Sequence, residues 1–339
     1  MGASRMARQV MIDAIRRPLN VPLVSGQRIT SSIAGIYSHN PNRAAAFAAE
    51  TYLPRSFTQV TDLLTRPEVE CVYISSHPRH QAHLIALALD AGKHVLCEPP
   101  TALTPQETAW LCQRAEERGT IFAVNFALRG EPALMRAAAL LYDYTIGDLV
   151  SVTLHHLGEL PQDQQTWRLR DPGGGLLMDR GIHLFDLLNW LLRDEFEALH
   201  AQEGNRALGE VRRAEGGAEE EIMLIGRMRH SRLPVQIYDS WLVSHATPRL
   251  TIHGTRGALV AEGWGQRGQE SRLTITQANG DSILPLAPGQ PYHLSVQRFT
   301  QSVVQARKQP EQRPLPPLAT GWDALSALET VATVKGWIS

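Results

Sequence analysis

Residues 69–100 read VECVYISSHPRHQAHLIALALDAGKHVLCEPP, and this stretch decides the fold. Val69 to Ser75 is β-branched and apolar, which predicts a buried strand. Gln81 to Ala91 is a strongly apolar helix pattern, and Gly92 stops it as a C′ glycine does. His94 to Cys97 is a second short apolar strand. Working outward, the same alternation recurs. Upstream, residues 5–17 carry Met6, Val10, Met11, Ala14 and Ile15 at helical spacing. Ile29 to Tyr37 reads as a strand, Pro41 to Glu50 as a helix opened by proline, and Phe57 to Thr65 as a short helix. Downstream, Pro105 to Arg118 is a helix ended by Gly119, and Thr120 to Asn125 is a strand. Repeated strand–helix alternation with short connections predicts a doubly wound parallel sheet over residues 1–121, an α/β fold.

The pattern changes over residues 122–339. Pro132 to Tyr144 and 176–193 read as helices, and Leu149 to His156 as a strand. Strand-like runs follow at 219–228, 234–243, 248–253, 257–262 and 272–277, separated by Gly-rich turns. Strands without intervening helices predict an open mixed, mainly antiparallel sheet. Residues 310–318 form a Pro-rich extended connector, and Ala319 to Ile338 a closing helix.

Lys and Arg total 33 against 34 Asp and Glu, so no basic excess points to a nucleic-acid backbone. The three cysteines form no disulfide framework and no CxxC zinc pair, which fits a reducing compartment. No run of eighteen apolar residues is present, and the first residues lack the apolar core of a secretory signal. The expectation is a cytoplasmic protein with a small-molecule substrate and neither a nucleic-acid nor a membrane partner.

Four segments could carry chemistry. Gly2-Ala3-Ser4-Arg5-Met6-Ala7 fits a dinucleotide fingerprint, with Ser and Ala at its second and third glycines. Such a turn aims helix N-terminal amides at a pyrophosphate, and the Ser4 hydroxyl could donate to a phosphate. The plain alternative is a disordered start with incidental small residues. At the end of the next strand, Ser38 and His39 stand where a site selective for NAD carries Asp or Glu, which tilts the reading toward NADP. Glu98-Pro99-Pro100 falls at the carboxyl end of a strand, the edge that faces the ligand in open α/β sheets. Its Pro99–Pro100 bond is a candidate cis peptide or a plain rigid turn.

Gly173-Gly174-Gly175 opens the last segment, with Asp179, His183 and Asp186 behind it. Asp179 and His183 are four apart and share one helix face, a pair suited to proton transfer. The alternative is a capping Asp and a satisfied interior His. A metal reading of D-x3-H-x2-D lacks a second His or Glu cluster to complete it, so no metal is expected. His77, His80 and His83 straddle a helix start and read as a polar loop near a ligand rather than as a metal site.

Together these blocks resemble the Gfo/Idh/MocA family of NAD(P)-dependent oxidoreductases. GASRMA, NPNRAAAFAAE, ALALDAGKHVLCEPP, GGGLLMDRGIHLFDLLNWLL and IHGTRGALVAEG carry the resemblance over nearly the whole chain. It implies a Rossmann domain over 1–121 and a substrate-binding and oligomerisation α/β domain over 122–339. The open sheet of the second domain would form a homodimer or homotetramer interface. It implies NADP or NAD as cofactor, lined by Gly2, Ser4, Arg5, Met6, Ser38, His39, Arg43, Ser76, His77, Glu98 and Pro99. His183 would accept the proton of a substrate hydroxyl, and Asp179 would orient it or bind the substrate. Arg129, Trp167, Arg168 and Tyr292 are the expected substrate contacts. A further family histidine aligns with Gln81 or His80.

The family's Glu-Lys-Pro motif is Glu98-Pro99-Pro100 here, so its lysine is replaced. An ammonium beside the reacting hydroxyl stabilises the developing alkoxide, and losing one such donor costs about two to three orders of magnitude in rate. The family also carries an apolar strand ahead of the glycine turn, where this sequence has Met1. The expectation is a native start upstream of Met1, or another segment or chain in that strand's place. The leading function is hydride transfer between a nicotinamide and a hydroxyl or ketone of a sugar, polyol or similar small polar molecule. The alternative is a family member without ordinary turnover: a cofactor- or ligand-sensing regulator, or a lyase or hydrolase using bound cofactor.

Overall fold

The computed structural model describes residues 1–18, 31–170, 173–203, 206–207, 210–211, 218–266, 270–309, 311 and 314–338. Two compact units result: Met1–Ala127 with Gln290–Leu325, and Leu128–Gly289 with Ser326–Ser339. The expected boundary at 121 thus lies six residues short of the end of the first segment at Ala127, and residues 290–325 return to the first unit.

In the first unit a π-helical turn, Ala7–Met11, runs into α1, Ile12–Arg16. Then follow β1 (Ile36–Tyr37), α2 (Pro41–Glu50), β2 (Ser56–Phe57), α3 (Val60–Leu64), β3 (Cys71–Ile74) and α4 (Pro78–Asp90). β4 (His94–Cys97), α5 (Pro105–Glu117) and β5 (Phe122–Val124) complete the alternation. All strand pairs here are parallel: β1 with β2, and β3–β4–β5 as a three-stranded sheet. Proline at the first turn and a side-chain cap fix the starts of three helices: Asn40 for α2, His77 for α4 and a Thr104–Glu107 capping box for α5.

One face of the three-stranded sheet buries Leu96 and Ala123 against Met11 and Ala14 of the first helix and against Val296, Phe299 and Val303. The last three belong to α8 (Pro291–Lys308), a helix absent from the sequence reading. α4 packs against β3, β4 and α5.

The strand expected over 29–37 is laddered only at Ile36–Tyr37; residues 29 and 30 lie outside the described residues. Residues 31–35 instead line a cavity of about 550 Å³, together with Met1, Val72, Tyr73, Phe299 and Val303. Met1 and Gly2 are the rung that joins the two parallel sheets. Gly2 N–H donates to the Tyr37 carbonyl (3.0 Å), Ser75 N–H donates to the Met1 carbonyl (2.9 Å), and the Met1 amine donates to the Tyr73 carbonyl. Burial pushes that amine down to about 5.

The second unit contains α6 (Pro132–Tyr142), β6 (Leu149–Leu157), a π-helical turn at Leu177–Gly181, α7 (Ile182–Leu192) and β7 (Phe196–Glu203). β8 (Arg206–Ala207) and β9 (Glu210–Val211) form a two-residue ladder. β10 (Glu221–Met228), β11 (Pro234–Ser240), β12 (Arg249–Gly254), β13 (Gly257–Glu262), β14 (Arg272–Gln277) and β15 (Gly280–Leu284) follow. The closing helix is α9 (Gly321–Ile338). The eight-stranded sheet has the order β15-β14-β13-β12-β6-β11-β10-β7, antiparallel throughout except for β6 beside β11. Alternation puts Val152, Leu154, Ile222, Leu224, Val235, Ile237, Leu250 and Ile252 on the buried face. α7 meets that core through Phe185, stacked on Phe196 of β7 at 5.6 Å. Among the described residues no helix is long and apolar enough to cross a membrane.

Candidate active site

The first unit collects polar groups at the carboxyl ends of β1, β3 and β4. Gly2 has φ +99, and a Cβ there would lie 2.3 Å from the Ser75 carbonyl oxygen, so only glycine permits this approach. The Ser4 hydroxyl accepts from Ala7 N–H (3.0 Å) and bonds the Ser75 hydroxyl. It therefore caps the helix it opens, rather than standing free for a phosphate. The donors left for an anion are the N–H groups of the opening turn itself. Met6 packs into the sheet core, and Arg5 is exposed and bonds Gln9.

At the end of β1, Ser38 is buried and its hydroxyl accepts from Asn40 N–H (3.3 Å). Asn40 in turn caps α2 through Arg43 N–H (3.0 Å), leaving the His39 and Arg43 side chains exposed. After β3, Ser76 donates through both its N–H and its hydroxyl to Gln81 Oε1 (3.1 and 2.9 Å), and Gln81 Nε2 bonds the Glu98 carbonyl. Gln81 thus ties the β3 end to the β4 end. His77 is spent capping α4. No group of three or more His, Cys, Asp or Glu that could hold a metal occurs among the described residues.

Glu98 receives Tyr73 OH (2.6 Å) and Asn125 Nδ2 (2.7 Å) on one carboxylate oxygen. Burial nevertheless pushes its carboxyl up to about 7, because desolvation outweighs the two donors. The Pro99–Pro100 bond is cis. Tyr292 packs against the core between α1 and α8 in this unit.

In the second unit the triple glycine turn precedes the helix that carries Asp179 and His183. A Cβ on Gly174 would meet the Arg170 carbonyl at 2.3 Å, and one on Gly175 (φ +96) would meet the Glu219 carboxylate at 2.4 Å. Glu219, buried, accepts from Leu177 N–H (3.0 Å) and lies 3.4 Å from Lys335 of α9. It is the cap of the π turn that carries Asp179 and Arg180.

Asp179 pairs with Arg168 Nε at 2.9 Å through both oxygens, and the Arg168 guanidinium lies over Trp167 at 4.6 Å. Three expected site residues, Asp179, Arg168 and Trp167, thus come together. Arg129 instead forks onto Asp186 at 2.9 and 2.6 Å, both groups buried, an ion pair inside the core. His183 follows on α7. Burial first, and the neighbouring charge of His156 second, push its imidazole down to about 4. It is neutral at pH 7 and carries a lone pair able to take a proton.

His156, Asp239 and Trp264 join this cluster without having been marked by any sequence motif. Their signal is sheet register: β6 and β11 run parallel, with His156 opposite Asp239.

Comparison with known proteins places the chain in a family. The model of the oxidoreductase family with an NAD-binding Rossmann fold, GFO_IDH_MocA, matches residues 2–126, and the GFO/IDH/MocA C-terminal domain model matches 134–260. A 1,5-anhydro-D-fructose reductase of Ensifer adhaerens is 31% identical over 339 residues, covering 98% of this chain and 94% of its own. A levoglucosan dehydrogenase of Pseudarthrobacter phenanthrenivorans is 26% identical, covering 65% and 62%. Among solved structures, aldose-aldose oxidoreductase from Caulobacter crescentus, complexed with glycerol, matches at TM-score 0.83 and 18% identity over 99% and 95% of the two chains. A 3-ketoreductase from Actinomadura kijaniata with NADP and TDP-benzene matches at TM-score 0.79 and 21% identity over 99% and 95%. At those identities the two structures speak for the fold alone.

Proposed function

The chain belongs to the GFO/IDH/MocA oxidoreductase family, and from that premise we propose that it moves a hydride between a nicotinamide cofactor and a CH–OH or keto carbon of a sugar-like substrate. The observation that carries the reading is His183, a neutral imidazole on a helix pinned by glycine turns, next to the Asp179–Arg168 pair. The relatives named as acting on 1,5-anhydro-D-fructose and levoglucosan support a sugar or anhydro-sugar substrate.

The first unit's residues fit a dinucleotide by the chemistry of their donors. The turn after Gly2 offers N–H groups to a pyrophosphate, and Ser38, His39, Asn40 and Arg43 place no carboxylate beside the ribose. That set favours NADP. When bound, the nicotinamide accepts or returns the hydride. His183 takes the hydroxyl proton as the carbon is oxidised and returns it on reduction. Asp179 holds Arg168, whose guanidinium and the Trp167 ring present a polar and a flat surface for a sugar. With Pro99 at the lysine position, proton handling falls to the second unit.

The outward face of β10 exposes Met223 and Ile225 and suits a second copy of the chain. Pro99 at the lysine position favours a sensor or lyase reading, and the presence of both Asp179 and His183 favours the enzyme.

The test is titration of NADPH and NADH by fluorescence, then a panel of aldoses, polyols and anhydro-sugars followed at the nicotinamide absorbance. Tight NADPH binding with sugar-dependent turnover is expected. Binding without any turnover would support a sensor, and no binding would sink both readings. Light scattering after gel filtration reads the oligomer.

A further inference from the structure

Among the described residues of the second unit, four cations meet the glycine turn, the π turn or the start of α7, and each is matched to a carboxylate. Arg168 Nε holds both oxygens of Asp179 at 2.9 Å. Arg180, the residue after Asp179, bonds Asp239 Oδ1 and also donates to the carbonyls of His156 (2.7 Å), Gly158 (3.2 Å) and Ser240 (2.7 Å). Arg129 forks onto Asp186 of α7 at 2.9 and 2.6 Å. Lys335 of α9 lies 3.4 Å from Glu219, the carboxylate that caps Leu177 N–H, and 3.4 Å from the Gly174 carbonyl. Arg170, in the loop ahead of the glycines, is exposed, where solvent and salt screen its charge.

Asp239, Asp186 and Glu219 are buried, so those three pairs belong to the frame of the unit. Arg168 and Asp179 differ, because their side chains keep 25% and 21% of their surface open. A substrate can touch this pair. Asp179 engages Arg168 through Nε, which leaves the two NH2 groups of the guanidinium as donors to hydroxyl oxygens. The Asp179 carboxylate in turn accepts from hydroxyl groups. Burial holds the imidazoles of His183 and His156 low, so neither adds a cation at pH 7. A hydroxyl group entering here exchanges bonds to water for bonds to the pair. A phosphate or carboxylate would lose its hydration, meet a cation already compensated, and face the Asp179 carboxylate as a like charge.

We propose that this site takes an uncharged polyhydroxylated ring and turns away the same ring once it carries a phosphate or a carboxylate. The pairing of Arg168 with Asp179 makes the selection, since it presents donors and acceptors together with no net charge. Arg180, Arg129 and Lys335 cannot supply the missing cation without leaving a buried carboxylate unmatched. The proposal narrows the substrate class of the reaction proposed above and rests on that reading for where the sugar binds; the matching of cations to carboxylates does not.

The test compares each sugar with its own anionic forms. Aldoses that include D-glucose and D-galactose are set against their uronates and 6-phosphates. Binding to the full chain is read by saturation-transfer NMR, and turnover as kcat/KM. The neutral sugar should be preferred about tenfold or more over either anion. Asp179→Asn unmasks the Arg168 cation and should narrow that ratio about tenfold, whereas Arg168→Gln leaves Asp179 unmatched and should widen it. Exclusion by size alone would leave the ratio the same in all three proteins. A wild type that binds a uronate or phosphate as well as the neutral sugar overturns the proposal, and so does a ratio that stays put in the variants. If a variant does not fold, the other variant and the wild-type preference decide. Binding that prefers the neutral sugar without any turnover would sink the reaction and keep the selectivity. Turnover that prefers an anion would do the reverse, and no binding of any sugar would sink both.

Discussion

Gly175→Ala tests whether the glycine turn places the helix that carries Asp179 and His183. The new methyl would sit 2.4 Å from Glu219 Oε1 and 2.5 Å from Oε2, in backbone at φ +96. Two costs follow. Left-handed backbone on a residue with a Cβ costs about 1–3 kcal/mol. Displacing Glu219 then removes the cap on Leu177 N–H, about 0.5–2 kcal/mol, and separates a buried carboxylate from Lys335, about 1–3 kcal/mol. Gly280→Ala is the internal control. It lies in the same unit at φ +104, and a Cβ there meets nothing within 4 Å, so it carries the backbone cost alone. Urea unfolding should put Gly175→Ala about 1.5–5 kcal/mol below Gly280→Ala, the difference being the Glu219 contacts. Turnover should fall at least tenfold in Gly175→Ala, with NADPH affinity unchanged, because the turn carries Asp179 and the helix behind it carries His183. Equal stabilities for the two variants would refute the capping role of Glu219. Full turnover in a destabilised Gly175→Ala would refute the link from turn to catalysis.

Three further outcomes are expected. The oxidation rate should be flat from about pH 5 upward and fall toward pH 4, because protonating His183, whose imidazole sits at about 4, removes the proton acceptor; His183→Asn should lower kcat by about two to four orders of magnitude with cofactor affinity intact. Pro99→Lys should raise kcat at least tenfold by restoring a cation beside the reacting oxygen, measured with the preferred sugar; an unchanged or lower rate would mean that the second unit meets the charge alone. Finally, four valines fused ahead of Met1 should raise the urea midpoint over a Gly-Ser extension of the same length. The cavity of about 550 Å³ is lined in part by Ile33, Ile36, Val72 and Phe299 and flanked by β1 and β3, and each fully buried valine is worth about 1.5–3 kcal/mol. Equal midpoints would show that the cavity does not seat a strand.

The fold was legible because its signals are local. Gly92 and Gly119 end helices, Pro41 and Pro105 open them, and strand alternation marks β10 to β14; none of these depends on distant residues. The α8 helix escaped notice, although Val296, Phe299 and Val303 lie at helical spacing. It follows the antiparallel sheet in sequence yet returns to the first unit, against Leu96 and Ala123. Of the strand expected over 29–37, the described residues are laddered at Ile36–Tyr37 and not at 31–35, since a strand persists only where a neighbour takes its backbone hydrogen bonds.

The candidate site divides along the same line. Gly2, Glu98, Asp179 and His183 announce themselves by spacing, because a glycine turn or a helix face brings neighbours in sequence together. Glu219, Lys335, His156 and Asp239 do not, since each reaches the site from a separate strand or helix. Sequence alone determined which residue types stand ready on each element. Only the tertiary structure decided their partners: that Asp179 binds Arg168, that Arg129 is buried on Asp186, and that His156 faces Asp239. The physical reason is that charge pairing and desolvation depend on distances across the sheet, which strand order and register set and local pattern does not.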